Sequence, residues 1–339
     1  MSGNAQHRKT VRWGILGCAQ IAVNAIIPAL QAAREAEIAA VASRDEAKAR
    51  SVAERFGIPK AYGGYEALLA DPEIDAVYIP LPNHLHLEWT VKAAEAGKHV
   101  LCEKPFAMNA AEAEAMAEAC GRNGVKLAEA FMYRYHPRYD LVRDIVRSGE
   151  IGDIRGVQVA FTFQIEDVGV EGNIRMDGKL GGGAIYDVGC YTVSGARLVL
   201  GAEPEAATAI ATYLETDPDV DMMVSGLLEF PGGIGLSFQC GMSAELRNSL
   251  QIAGTKGRID IPEAYVPSPE SADFFVVTKG ERRKVVVPVV DAYELQVAEF
   301  SRCILEDAPT RFDPADAVRN MAVLDAVRAS AKERRRVSL

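Results

Sequence analysis

Between Thr10 and about Leu127 the chain alternates short unbroken apolar runs with alanine-rich amphipathic segments, and this alternation narrows the fold more than any other feature. VRWGIL, EIAAVAS, IDAVYIP and HVLCEKP read as strands, whereas IAVNAIIPALQAA, EAKARSVAERFG, YEALLADP and HLEWTVKAAEAG read as helices. Apolar spacings of three and four mark helices with one buried face. Strands apolar throughout belong to a parallel sheet covered on both sides. Alternation of the two requires right-handed crossovers, so residues 1–128 are expected to form a doubly wound α/β domain.

From about Ala128 the pattern changes. IRGVQVAFTFQ, VSGLLEF, GIGLSFQC, NSLQIAG, GRIDI, DFFVVTK and RKVVVPV read as strands separated by turn residues, with PGG as a hairpin turn between the second and third. Two helices close the chain, AYELQVAEFSRCILED and PADAVRNMAVLDAVRASAKERR. Residues 129–339 are therefore expected to form an α+β domain with an open, mostly antiparallel sheet. A length of 339 residues supports two cores better than one.

Charge and cysteine usage exclude several function classes. A formal net charge of -10 disfavours nucleic acid and anionic membrane as partners, and only the tail KERRRVSL is basic. No apolar run approaches the roughly 20 residues that span a bilayer. MSGNAQHRKT lacks the apolar core of an export signal, so the expected location is the cytoplasm. Cys18, Cys102, Cys120, Cys190, Cys240 and Cys303 are scattered without C-x-x-C spacing, which fits reduced thiols and no metal site.

The first strand runs into Gly17-Cys18-Ala19-Gln20-Ile21-Ala22, a degenerate G-x-G-x-x-G in which Ala19 and Ala22 replace the later glycines. A glycine for the tight turn and small residues after it let a pyrophosphate approach the following helix. The loop sits between strand and helix inside a βαβ unit, as a dinucleotide site requires. At the tip of the second strand stand Ser43 and Arg44, followed by Asp45. A hydroxyl and a guanidinium suit a 2′-phosphate, so NADP is the expected cofactor, with NAD the alternative. The fourth-strand loop, Leu81-Pro82-Asn83-His84-Leu85-His86, places Asn83 where a helix N-cap would sit. His84 and His86 lack a third ligand, which favours capping and packing beside the nicotinamide half over metal.

Two further stretches carry candidate chemistry. CEKP puts Glu103 and Lys104 where a buried strand ends, with Pro105 biasing Lys104 towards extended geometry. In LGGGAIYDVGCYTVSGARLVLG, three glycines lead into a helix that stops at Gly201, and Asp187 and Tyr191 are four apart on one face. Arg134, His136, Asn173 and Arg175 are secondary candidates for substrate contact; for His136, before Pro137, bonding backbone at a helix start is the alternative.

With the nucleotide loop, LPNHLH, CEKP and GGGAIYDVGCY in this order, the chain resembles the Gfo/Idh/MocA oxidoreductases. AEAFMYRYHP and GNIRMDGKLGGGAIYDVGCY resemble the branch containing glucose-fructose oxidoreductase, dimeric dihydrodiol dehydrogenase and NADP-dependent xylose dehydrogenase. The resemblance implies a Rossmann domain followed by an open-sheet domain that bears substrate and often the oligomer contact. It also implies hydride exchange between nicotinamide and a sugar, polyol or related carbonyl. Lys104 matches the lysine that binds the reacting oxygen, with Glu103 positioning it or meeting the cofactor ribose. The common D-x-G-x-H motif ends here in Tyr191, so a tyrosine paired with Lys104, and Asp187 as orienter, replaces a histidine acid/base. A redox-neutral enzyme with tightly held nicotinamide and a non-catalytic NADP-binding regulator are the alternatives.

Overall fold

The computed structural model describes residues 10–268 and 270–339. They group into two compact units: the chain through Phe106 with Ala111–Met132 and Asp291–Ala317, and Ala107–Ala110 with Tyr133–Val290 and Val318–Leu339.

In the first unit the strands are β1 (Val11–Leu16), β2 (Ala36–Ala42), β3 (Lys60–Tyr62), β4 (Ala76–Ile79), β5 (His99–Cys102) and β6 (Leu127–Glu129). Between them run α1 (Ile27–Ala32), α2 (Glu46–Phe56), α3 (Tyr65–Leu69), α4 (His86–Glu95) and α5 (Ala110–Arg122). The sheet order is β3-β2-β1-β4-β5-β6, and its neighbouring strands pair in parallel. Burial explains the apolar strands: Trp13, Ile15, Val77, Tyr78, Val100 and Leu101 are fully enclosed. The order reverses between β1 and β4, and in such sheets ligands bind beyond the strand ends at that reversal.

The second unit holds α6 (Pro137–Ser148), β7 (Ile154–Gln164), α7 (Cys190–Leu200), β8 (Ala206–Leu214), β9 (Asp217–Phe230) and β10 (Ile234–Gly241). It continues with β11 (Ser243–Gly254), β12 (Gly257–Pro262), β13 (Phe274–Thr278) and β14 (Glu281–Val285). After α8 (Ala292–Leu305) and α9 (Pro314–Glu333), β15 (Val337–Ser338) completes a nine-stranded sheet ordered β14-β13-β12-β11-β7-β10-β9-β8-β15. Only β7 and β10 pair in parallel; the other neighbours are antiparallel. PGG forms the expected turn, with Gly232 and Gly233 at φ 76 and 75 and Ile234 opposite Phe230. Helix α7 packs on β7 and β10, while Gln158, Ser237, Gln239 and Arg247 line a hollow of about 600 Å³ on the sheet.

A linear division after residue 128 differs from the observed grouping at the short segments 107–110 and 129–132 and, most of all, at 291–317. Helix α8 packs on α1 and β1 of the first unit, where Phe300 lies 5.7 Å from the Trp13 ring and Trp13 Nε1 donates to Ser301 Oγ at 3.1 Å. The apolar side of β1 thus gains its cover from residues near the far end of the chain.

Candidate functional site: a dinucleotide loop and a glycine-led helix

In the first unit, β1 breaks at Gly17, whose φ of 125 lies where side chains are strained. Its N–H donates to Ala42 O at 2.9 Å, bending the chain across the end of β2. A Cβ there would lie 3.2 Å from Leu81 Cδ2, so the loop also meets the fourth-strand segment. The turn Ala22–Ile26 that precedes α1 is a π-turn, and no side chain caps it. Ala19, Gln20 and Ile21 therefore lead a helix start suited to a phosphate's negative charge. Cys18 beside them is buried, which raises its thiol pKa, with Lys48 partly opposing.

The tip of β2 is organised by its side chains. Ser43 Oγ accepts from Asp45 N at 3.2 Å, and Asp45 Oδ1 accepts from Ala47 N and Lys48 N at 3.0 and 3.2 Å. Asp45 is thereby committed to capping α2. Arg44 is exposed and hydrogen-bonds the buried Tyr65 phenol. The acid of this tip, Asp45, is thus spent on the helix, and Arg44 is the cation beside it.

The fourth-strand loop departs from one expectation. Asn83–Leu85 forms a 3-10 turn, and α4 starts at His86 with Leu85, not Asn83, at its N-cap. The extra turn after Pro82 moves Asn83 one step away from the helix. His86 is fully buried, with Nε2 2.9 Å from Leu81 O and Nδ1 3.0 Å from Pro105 O. It ties the Leu81 segment to the loop after β5. Among the described residues no group of three or more His, Cys, Asp or Glu is placed to hold a metal.

That second loop carries Lys104, followed by a cis bond to Pro105. Glu103 is buried; its Oε1 accepts from Tyr78 OH at 2.5 Å and its Oε2 from Lys104 N at 3.1 Å. Burial, reinforced by the charge of Glu103, pushes the Tyr78 phenol well above its ordinary pKa, so it stays a donor. Phe106 N donates to Glu129 Oε1 at 3.1 Å. Glu103 and Glu129 thus clamp the backbone on both sides of Lys104 and Pro105. Tyr78 and Glu129 were not singled out from sequence; a lone tyrosine in an apolar strand is their only signal.

In the second unit, glycines bring a loop against a helix start. A Cβ on Gly182 would lie 2.5 Å from Arg175 O, and Gly183 N donates to that carbonyl at 3.0 Å. With the backbone so close, Arg175 Nε reaches Asp187 Oδ2 at 2.6 Å. The charge of Asp187 and, more weakly, that of Tyr191 raise the Arg175 pKa, so both face the guanidinium. The first turn, Ile185–Gly189, is a π-turn, and α7 proper begins at Cys190. Such turns recur at functional sites. Tyr191 is 7% exposed, its ring 5.4 Å from Phe161, 5.6 Å from Tyr265 and 5.8 Å from Tyr133. Aromatic walls fix the ring while a small part of it stays accessible.

The remaining candidates divide. Asn173 caps a short turn, its Oδ1 accepting from Arg175 N at 3.1 Å and its Nδ2 donating to Gly169 O at 2.7 Å. It holds Arg175 in place. His136 caps α6, Nδ1 accepting from Arg138 N at 3.2 Å, and burial beside Arg138 lowers its pKa to about 4. Arg134 is buried in the 3-10 turn Met132–Tyr135. Lys104 belongs to the first unit, Asp187 and Tyr191 to the second.

Comparison with known proteins agrees with this geometry. Residues 11–131 match the oxidoreductase family with a NAD-binding Rossmann fold, and residues 139–260 match the GFO/IDH/MocA C-terminal domain. The chain is 42% identical over 321 residues to D-xylose 1-dehydrogenase (NADP(+)) 2 of Haloferax volcanii, covering 94% of this chain and 97% of that one. Aldose-aldose oxidoreductase from Caulobacter crescentus, solved with glycerol, superposes with TM-score 0.89 at 29% identity, covering 97% of this chain and 100% of that one. KijD10, a 3-ketoreductase from Actinomadura kijaniata solved with NADP and TDP-benzene, gives TM-score 0.89 at 34% identity, covering 95% and 98%. A parallel dinucleotide sheet, a mixed second sheet and matches across both halves lead to one conclusion: the chain belongs to the GFO/IDH/MocA family of nicotinamide-dependent oxidoreductases.

Proposed function

We propose that this enzyme is an NADP-dependent dehydrogenase or reductase acting on a hydroxyl-bearing carbon of a sugar, polyol or related carbonyl compound. The observation that carries the reading is the carboxylate of Asp187, held at 2.6 Å by Arg175 on the helix that also presents Tyr191. The pair ties the Arg175 loop to the helix start and sets an oriented carboxylate beside a phenol, the groups that an acid–base step on a substrate oxygen uses.

The nicotinamide ring, when bound, supplies or takes the hydride. Gly17 to Ile21 would hold the pyrophosphate, Ser43 and Arg44 the 2′-phosphate, and Leu81, Pro82 and Asn83 the neighbouring half of the nucleotide; His86, fully buried between Leu81 O and Pro105 O, would support that loop from behind instead of touching the ligand. The preference for NADP is supported by the commitment of Asp45 to capping α2, which leaves Arg44 as the ionic group offered to the ribose side. Lys104, its backbone fixed by Glu103, binds the reacting oxygen as an ammonium. Tyr191 exchanges the proton with that oxygen. An ordinary phenol titrates near 10, so the lysine's charge is needed to bring it into range. Asp187 orients the substrate hydroxyl, and Arg134 is a further candidate contact.

Nicotinamide absorbance followed across a panel of aldoses, ketoses and polyols tests the reading. Lys104→Met and Tyr191→Phe are each expected to lower kcat about 10²–10⁴-fold, the range for loss of a general acid–base group. Near wild-type kcat in both would sink it. A second reading, redox-neutral exchange on tightly held nicotinamide, is favoured by the likeness to an aldose-aldose oxidoreductase. Nicotinamide that survives dialysis would select it. We place the enzyme in the cytoplasm, where its six free cysteines would stay reduced. We also place a homo-oligomer contact on the sheet face bearing Gln158, Ser237 and Arg247; size exclusion with Arg247→Glu tests that contact.

A further inference from the structure

A carboxylate outside the acid–base group touches the helix that carries it. Asp221, on β9, is 4% exposed, and its Oδ2 accepts from Ile185 N at 2.7 Å. The Ala184 N–H faces the same carboxylate and opposes the rise of its pKa. Gly183, at φ 108, makes the seat: a Cβ there would lie 2.4 Å from Asp221 Oδ1. Asp221 also sits where the pairing of β8 and β9 is irregular, opposite Tyr213. Burying a carboxylate costs free energy, and backbone donors at a helix start are among the few groups that offset it.

We propose that Asp221 is a positioning residue for catalysis: by accepting from the backbone at the start of the π-turn, it fixes the orientation of Asp187 and Tyr191. The proposal rests on the reading that those two residues serve the reaction. It adds a part that neither the motif nor the acid–base pair contains, because Asp221 lies 34 residues after Asp187 and reaches it only through backbone. Arg328 of α9 holds the same turn from another side, its guanidinium 4.5 Å from the Tyr186 ring and bonded to the Tyr186 hydroxyl.

Burial raises the Asp221 pKa to about 6, against the lowering effect of the backbone donors and of Arg328. The other titratable groups facing it are Tyr213 from β8 and Cys240 from β10, both held neutral by burial that raises their pKa. Near pH 6 the acceptor therefore gains a proton and one of its oxygens becomes a donor. The folded pKa exceeds the ordinary carboxylate value, so this group's contribution to stability falls as pH rises from about 4 to 6 and is constant above. The chain keeps a carboxylate that stability alone would discard.

The test uses the full-length protein with NADP and the best substrate of the sugar panel. Asp221→Asn presents one oxygen and one amide donor to two N–H groups. It is expected to lower kcat about tenfold or more, about 1.4 kcal/mol of barrier, with the Kd for NADP within twofold of wild type. It is also expected to remove the acid limb near pH 6 from the kcat profile. Relative to wild type, its Tm is expected to compare better at pH 8 than at pH 5. Hydrogen exchange of the Ala184 and Ile185 amides, corrected for intrinsic rate, is expected to speed up in Asp221→Asn; Asp221→Glu, which keeps the charge, restores the acid limb. Wild-type kcat and an unchanged limb, with Tyr191→Phe inactive, would overturn the positioning role while leaving the functional reading intact. A Tyr191→Phe variant with full activity would instead strike the functional reading, and exchange at 184 and 185 would still report whether Asp221 holds the turn.

Discussion

Two helices in this molecule begin in the same way and end up with opposite tasks. Each follows a glycine of positive φ, Gly17 at 125 and Gly183 at 108, and each contains a π-turn close to its start. The first has no side-chain cap, and the second is capped from a distant strand by the carboxylate of Asp221. An uncapped helix start keeps its partial positive charge for a ligand anion. A start already held by the protein's own carboxylate has less positive charge to offer a ligand anion and is anchored as a mount for the side chains along it. On the proposed function, the same backbone device would make a binding site where it is left open and a catalytic support where it is filled.

That contrast can be broken most easily at the glycines. Gly17→Val combines positive-φ strain of about 1–3 kcal/mol with crowding against Leu81, and the Kd for NADP is expected to rise about 100-fold, read by nucleotide fluorescence. Unchanged affinity would remove the phosphate from the first helix. Arg175→Ala leaves Asp187 without its guanidinium; kcat is expected to fall about 10–100-fold, about 1.4–2.8 kcal/mol, with the Kd for NADP unaltered. A loss in NADP affinity instead would show that the two helices do not divide their labour. Arg44→Ala is expected to lower the ratio of kcat/KM for NADP over NAD about tenfold, the value of roughly one charged hydrogen bond.

The smallest effect sharpens the comparison with a third helix start, that of α6. His136→Ala is expected to cost about 1 kcal/mol, the usual worth of an N-cap, with kcat/KM retained. Burial lowers the His136 pKa to about 4 in the folded protein, so the folded state binds fewer protons than the unfolded one. The cap's contribution is then full above about pH 6.5 and is lost as pH falls towards 4. Thermal melts of both proteins at pH 5 and pH 7.5 should show the smaller difference at pH 5. A fall in kcat/KM would return His136 to the substrate.

What the sequence reveals depends on how local each cause is. The centre of the parallel sheet is legible because β1, β2, β4 and β5 are apolar runs set between periodic helices, whereas the three-residue β3 and β6 are too short to carry a pattern; CEKP and GGGAIYDVGCY are legible because their residues are adjacent. The PGG turn needs only two glycines. Asn83 misleads because a residue before a helix reads as a cap, while the 3-10 turn after Pro82 is set by how His86 is held between Leu81 and Pro105. Asp221 is silent in sequence because its partners are backbone N–H groups, which have no letter. Tyr78 and Glu129 are silent for a related reason: each acts on the Lys104 segment from a different strand. The register that unites them exists only in the folded sheet.

Helix α8 has a consequence for biosynthesis. Trp13 is translated well before Phe300 and Ser301, which close over it from the far side of the second sheet in sequence. The nucleotide-binding unit therefore stays unfinished on the ribosome while the eight strands β7 to β14 are made. A fragment cut after residue 128 would carry an open apolar flank, so the unit is separable in space but not in expression.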